Sequence, residues 1–400
     1  MFGFMDYVQH AFYNATHWNH DNSYANLTAT AQSLLNFDIP RGLRLHVSSL
    51  SAPNFATSYT LGSVGVVDGS ISYLYSSLQL RAPSKSGEID LRNVIRGYRH
   101  SRELRAPDNP YWWETWQRGK RTDRRDALLY GRLYLPRSTL EALYLRRISP
   151  TRQLKVSAVS DSTLANGGTV LAVLQNDYGK YSTEYLYSTD SGLLGVRGLY
   201  NFGPDPRHTP KLPPALEALQ EPVVGRFSAG AELYYGLLNK SGGVSTGVRF
   251  TTLPRHTGFP YTMTVTLNPL MGNLSSTYAV KAGQNLALCS RFDFNFYSYE
   301  SDLQLGMELW RRRQPSPAES DVEWATRLIR PGWKTASGTI GDPNPDVAGV
   351  LKTRVDQNWR IGVLWEGRIK ELLFSLGVSF DLRRREQIFR AVGVELQYSS

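Results

Sequence analysis

Near its end the chain reads LLFSLGVSFDL over Leu372–Leu382 and, a short turn later, RAVGVELQY over Arg390–Tyr398. In the first stretch Leu372, Phe374, Leu376, Val378, Phe380 and Leu382 fall on one side of an extended chain, and Ser375, Gly377, Ser379 and Asp381 on the other. In the second, Val392, Val394, Leu396 and Tyr398 alternate with Ala391, Gly393, Glu395 and Gln397. Period-two alternation specifies a strand with one apolar and one polar face. The charged turn Arg383-Arg384-Arg385-Glu386 makes the two an antiparallel hairpin. What remains open at this point is whether the apolar faces meet a protein core or lipid.

The same alternation runs through most of the chain. Leu43, Leu45 and Val47 alternate with Arg44, His46 and Ser48, and Phe55–Gly65 and Ser70–Leu80 follow. It is cleanest where Phe292, Phe294 and Phe296 oppose Arg291, Asp293 and Asn295, and where Leu303, Leu305 and Met307 oppose Asp302, Gln304 and Glu308. Counting every such segment gives about 19 strands. Most connections are short and glycine-bearing, as at Gly167-Gly168, Gly179, Gly192, Gly242-Gly243 and Gly283. A meander of about ten-residue strands, the length a tilted strand needs to cross a bilayer, favours one closed transmembrane antiparallel β-barrel over a soluble sandwich. Phe292, Phe294, Phe296, Leu303, Leu305 and Met307 are then lipid-facing, while Arg291, Asp293, Asp302 and Glu308 line the lumen.

Three connections are long: 82–127, 203–224 and 312–349. On this count they follow strands 3, 9 and 15, all odd, so they emerge on one rim. Residues 1–41 precede the first strand and form a separate N-terminal segment, helix-compatible near Phe4–Tyr13 and Tyr24–Phe37 and stopped by Pro40.

Composition agrees with this reading. The 400 residues include 23 Tyr and 9 Trp, a mixture that suits strands and interfacial belts better than helices. One cysteine, Cys289, excludes an intramolecular disulfide and a cysteine-built metal centre. The net charge of +10 is dispersed, and no nucleic-acid motif accompanies it. No apolar run reaches the roughly 18 residues of a membrane-spanning helix. Met1–Pro40 holds no Lys or Arg, so neither a secretory signal nor a cleavable presequence is expected.

Catalytic motifs are lacking: there is no phosphate-cradling glycine loop before a helix and no nucleophile elbow. No catalytic residue, cofactor or metal is expected. His10, His17 and His20 could ligate a metal, but without a nearby carboxylate or cysteine they read as polar ends of an aromatic segment. In the first long connection Trp112, Trp113 and Trp116 stand beside Arg121, Arg124 and Arg125. That pairing suits a headgroup interface, a docking hot spot or nucleic-acid stacking, or it simply folds the loop over the barrel mouth. In a helix the three Trp would share one face. Tyr73 and Tyr75 share a strand face and suit a partner contact or, more blandly, an interfacial belt.

Two further patterns carry a family resemblance. Barrel precursors of the mitochondrial outer membrane bear a C-terminal signal: a polar residue, any residue, Gly, two of any kind, then two hydrophobics one residue apart. Ser375, Gly377, Phe380 and Leu382 fill every slot; Gly393, Leu396 and Tyr398 repeat the pattern, with Ala391 in the polar place. The start of the chain, MFGFMDYVQHAFYNATHW over Met1–Trp18, with Leu34–Ser51 and Pro53–Leu80, resembles the fungal mitochondrial distribution and morphology protein ten family. That family supplies the barrel subunit of the ER–mitochondria encounter structure. The resemblance implies a 19-stranded barrel related to the voltage-dependent anion channel, with the N-terminal segment in the lumen. It implies residence in the mitochondrial outer membrane and a non-enzymatic role. The partners it implies are the encounter-structure subunits, the sorting and assembly machinery, outer-membrane translocase components and the phospholipid membrane, with no nucleic acid. A solute-conducting pore of the anion-channel type is the alternative.

Overall fold

A computed structural model shows 19 strands paired into one sheet that closes on itself. It describes all residues except 65, 81, 102, 109–113, 118–119, 124–125, 165, 208–223, 255, 313–346 and 384–387. The strands are β1 Gly42–Ala52, β2 Phe55–Val64, β3 Val66–Ser76, β4 Ala127–Leu135, β5 Leu140–Ser149 and β6 Arg152–Ser160. They continue as β7 Gly168–Asp177, β8 Tyr181–Ser188, β9 Leu193–Asn201, β10 Gly225–Gly236, β11 Ser241–Thr252, β12 Tyr261–Asn268 and β13 Asn273–Val280. The last are β14 Leu286–Asn295, β15 Ser301–Arg312, β16 Val347–Asp356, β17 Arg360–Ile369, β18 Leu372–Asp381 and β19 Phe389–Ser399.

Neighbours pair antiparallel throughout the meander, and the terminal hairpin has the register Leu376↔Val394 and Gly377↔Gly393. Because the number is odd and directions alternate, the first and last strands run the same way, so the closing pair is parallel. Gly42 faces Gly393 and Ser48 faces Ser399 across that seam. The 19-stranded sheet has no free edge among the described residues.

The register places the apolar set outward. Leu45 stands opposite Leu61 and Val47 opposite Tyr59 on the outer face, and all four are exposed. A continuous wall of exposed Leu, Val, Phe and Tyr is far larger than the apolar patches a soluble monomer carries, and it suits lipid. No helix among the described residues is long and apolar enough to cross a membrane. Phe374 sits on this wall yet is buried, packed edge-on against Trp365 at 4.8 Å and over Gly367, where its ring takes the space a Cβ would need.

The three long connections follow β3, β9 and β15, so their anchoring strand ends share one rim. Two boundaries differ from the sequence reading. The third strand is Val66–Ser76 rather than Ser70–Leu80, because it already pairs with β2 at Val66, opposite Val64, and the chain beyond Ser76 peels away: Leu80 N–H bonds the Pro53 carbonyl at 2.8 Å. Gly242 and Gly243 lie inside β11 opposite Tyr235 and Tyr234, and the turn before them is made by 237–240. Lys240 there adopts φ +49°.

Candidate functional site

The lumen is occupied by the protein's own chain. Residues 4–15 form helix α1, Phe4–Ala15, with Asp6 in its first turn where a carboxylate favours the positive helix end. Its last turn closes on Thr16, whose hydroxyl donates to the Phe12 carbonyl at 2.9 Å. The apolar residues of this segment have no lipid to face, so they pack inward: Phe4, Met5, Tyr7, Val8 and Phe12 join Leu74, Leu128, Leu145 and Leu373 of the barrel wall. Phe12 is wholly buried. A single 3-10 turn, Tyr24–Asn26, and a second helix α2, Ala29–Leu35, continue the plug down the barrel. Leu34 and Leu35 then seat against Ala279, Ala287 and Cys289.

The first long connection enters the same space. Ile89, Leu91, Val94 and Ile95, around a short helix α3, Leu91–Val94, are buried in the α1 core. Phe2 N–H donates to the Val94 carbonyl at 2.7 Å, so this loop and the N-terminal segment form one plug.

The wall grips that plug through polar groups on strand faces that point inward. Arg249 of β11 donates to the Asn26 carbonyl at 3.2 Å, and Arg354 of β16 to those of Leu35 at 3.1 Å and Phe37 at 3.3 Å. Arg368 of β17 reaches the Gly87 and Ile89 carbonyls at 2.8 and 3.0 Å, and Lys352 of β16 the Arg96 carbonyl. Four wall cations thus satisfy plug carbonyls that have no sheet partner, which a buried irregular backbone requires. Lys352 also pairs with Glu366 at 3.3 Å, both essentially buried, and Glu366 accepts from the Met1 amino group. On the opposite wall Asn22 donates to Asp177 at 2.7 Å and accepts from Asn201 at 2.8 Å, while Ser23 donates to Glu184 at 2.8 Å.

A Thr60–His46–Glu395 row crosses the parallel seam, with Thr60 Oγ1 2.9 Å from His46 Nδ1 and His46 Nε2 3.1 Å from Glu395. It has the order of a nucleophile, base and orienter. The adjacent backbone N–H groups belong to strands paired on both sides, which leaves none aimed at a developing oxyanion. The row therefore reads as a clasp joining β2, β1 and β19.

The residues singled out from sequence are placed as follows. Gly377 and Gly393 are cross-strand partners on the inner face, and the chain leaving the plug crosses them: a Cβ on Gly377 would meet the Pro40 ring at 2.7 Å, and one on Gly393 the Pro40 carbonyl oxygen at 2.5 Å. Ser375 is buried and inward, whereas Phe380 and Leu396 lie on the outer face, beside exposed Tyr398, and Leu382 is exposed just past β18. Phe292, Leu303 and Leu305 are exposed on the outer wall, with half-buried Phe294 and Met307 on the same face and exposed Phe296 just beyond β14. Arg291 pairs with Asp293 at 3.3 Å and bonds Gln304 at 2.5 Å on the inner face. Tyr73 and Tyr75 are exposed and outward, Tyr73 stacked on Phe55 at 6.0 Å and hydrogen bonded to Tyr59.

Trp112, Trp113, Arg124 and Arg125 lie outside the described residues. Trp116 is in backbone register with Arg121 in a two-stranded ribbon, Glu114–Gln117 against Lys120–Asp123, so the helical spacing considered for the Trp cluster does not apply to Trp116. Tyr13 and His20 stack at 5.1 Å, with His10 6.1 Å from His20, and burial pushes the His20 pKa down to about 4. Among the described residues no group of three His, Cys, Asp or Glu could hold a metal ion.

Sequence reasoning missed the first loop as part of the plug. The signal was there in Ile89, Leu91, Val94 and Ile95, an apolar spacing inside a segment otherwise read as a surface loop.

An odd-stranded membrane β-barrel with an apolar outer wall and a lumen filled by its own N-terminus and first loop is the class these features define. The model of one protein family, mitochondrial distribution and morphology protein 10, matches residues 1–337 and 334–400. The chain is 70% identical to the protein of that description from Phaeosphaeria nodorum and 64% identical to that from Sclerotinia sclerotiorum, over the full length of each. Its identity to the Neurospora crassa protein of the same description is 43%, across 99% of both chains. The chain belongs to this family.

Proposed function

We propose that the protein is a non-enzymatic barrel of the mitochondrial outer membrane that serves as an anchor and assembly subunit. In this reading it holds the ER–mitochondria encounter structure in place for tethering, phospholipid exchange, and mitochondrial morphology and inheritance. It also assists the sorting and assembly machinery in inserting barrels and building the translocase. Family membership supports the mitochondrial role. The observation that carries the choice of anchor over channel is the lumen: α1, α2 and the first loop occupy it, held by wall cations on their carbonyls. An anchor needs a stable outer wall and exposed loops, not a conducting path. Tyr59, Tyr73 and Tyr75 offer one exposed aromatic face for a partner or an interfacial belt. The Trp112–Arg125 stretch offers a second contact by composition.

Affinity purification of the full-length protein from mitochondria tests this. Co-purification of both tether and assembly-machine subunits is expected; a chain recovered alone would sink the proposal. Steady conductance of large amplitude in planar bilayers would instead favour the solute-pore reading.

A further inference from the structure

The rim opposite the three long connections is built from the turns that follow the even-numbered strands, and its two halves differ. The turns after β4, β6 and β8 are polar. Arg137, Asp161 and Asp190 stand on them, Thr139 donates to Asp161 at 2.9 Å, and among their described residues only Leu164 is large and apolar. The turns after β10, β12, β14, β16 and β18 hold Leu238, Met271, Tyr297, Tyr299 and Trp359, with Phe389 just past the last. Leu238, Tyr299 and Trp359 are 75, 80 and 62 % exposed, more than Leu305 of the outer wall at 52 %. Hydrogen bonds lace these turns together. Phe296 N–H donates to the Gly272 carbonyl at 2.8 Å, the Tyr297 hydroxyl to that of Pro269 at 3.0 Å, and Leu382 N–H to that of Trp359 at 3.2 Å. The backbone sharpens the contrast. In the polar half the left-handed turn residues are Ser138, Gly167 and Ser191, at φ +55°, +69° and +56°. Tyr299 and Trp359 take the same conformation, both at φ +56°. Glycine sits there without strain and a bulky residue does not. Two strained positions that hold out largely exposed rings gain little inside the chain, so what the rings stabilise lies outside it.

We propose that the turns after β10, β12, β14, β16 and β18 are immersed in the headgroup region of the phospholipid bilayer while those after β4, β6 and β8 stand in water, so that this rim is not level in the membrane. The apolar wall runs into the immersed turns without a break: Phe294 meets Phe296 edge-on at 5.3 Å, and Phe380 lies 5.2 Å from Phe389. Lipid that covers the wall therefore reaches the turns as well. Trp and Tyr, with an apolar body and a polar tip, are the side chains that the headgroup boundary selects. Exposed Lys240 and Arg383 beside them suit lipid phosphates. The row follows ten of the nineteen strands, β10 to β19, and so bends around about half of a closed ring. That is the outline of a lipid boundary, and a single protein contact would be a compact patch.

The test places single nitroxide labels on the full-length protein in phosphatidylcholine vesicles, through cysteines introduced in a Cys289→Ser background. Leu238→Cys, Met271→Cys, Tyr299→Cys and Trp359→Cys report the apolar half of the rim, and Arg137→Cys, Thr163→Cys and Asp190→Cys the polar half. Oxygen concentrates in lipid, whereas a nickel chelate, supplied on both faces of the vesicles, stays in water. The ratio of oxygen to nickel-chelate collisions should be several-fold higher at each position of the first set than at any of the second. Thermal unfolding checks that each variant is folded. Comparable ratios in the two sets, whether all low or all high, would overturn the proposal. So would a first set that is open to water in vesicles and protected only in isolated mitochondria, the outcome that assigns these turns to a protein partner.

Discussion

Replacing Lys352 by Met separates the hold on the plug from the stability of the barrel. Lys352 is essentially buried, pairs with Glu366 at 3.3 Å and donates to the Arg96 carbonyl. Methionine keeps the length of the side chain and removes both interactions. Breaking a buried ion pair costs about 3–5 kcal/mol when the partner is left unpaired. Glu366 keeps the Met1 amino group, so the lower end applies and the cost is about 3 kcal/mol. That corresponds to roughly a 100-fold rise in the population with the plug undocked. The strand ladder of β16 is untouched, since Lys352 pairs through its backbone with Glu308 and Leu364. Two measurements report undocking: ion flux in planar bilayers, and trypsin cleavage at Arg92, Arg96 and Arg99 in folded protein. Both should rise sharply in Lys352→Met while the barrel keeps its compact mobility in semi-native electrophoresis. Unchanged flux and cleavage alongside a destabilised barrel would show that Lys352 braces the wall and not the plug.

On the outer wall, Leu305→Arg should destabilise the barrel in lipid by about 2–4 kcal/mol, whereas inward Gln304→Arg should be mild; equal losses in denaturant unfolding would mean the faces are reversed. Gly393→Ala places a Cβ 2.5 Å from the Pro40 carbonyl oxygen and should reduce the yield of closed barrel on electrophoresis, while Gly198→Ala, with open space around it, serves as a silent control. A comparable yield from both would refute the close-approach argument. His20 binds its proton less tightly in the folded plug, at about 4 against the ordinary 6.5. Plug docking should therefore be strongest above about pH 6.5 and weaken as pH falls toward 4, since the undocked state takes up the proton more readily. Protease accessibility of residues 1–41 against pH checks this, and a His20→Phe variant should flatten the profile.

The barrel was legible because its cause is local. Each strand shows its two faces in its own residues, so alternation at Phe292–Phe296 or Leu303–Met307 needs no knowledge of the neighbours. The lumen was less so. Lys352, Glu366 and Arg354 look like ordinary inward polar residues, and their role follows only from which carbonyls the plug brings opposite them. Gly377 and Gly393 were read as two copies of one assembly pattern, and the hairpin gave no reason for the doubling. The structure supplies one: the two glycines pair across β18 and β19 and open a notch where the chain passes at Pro40. The outer-wall tyrosines were visible as a shared face, but what meets Tyr73 and Tyr75 depends on surfaces outside this chain.

The parallel seam has a consequence for the order of events in folding. Every other ladder contact joins strands that are near neighbours in sequence, but Gly42↔Gly393 joins residues separated by almost the whole chain. Closure of that seam carries the largest loop entropy and comes last on the path of increasing contact separation. The chain between plug and β1 lies against Gly393, inside the ring that the seam completes. Seam and plug are therefore neighbours in space: the pairing that closes the ring also fixes where the N-terminal segment enters it, at Pro40 against Gly393.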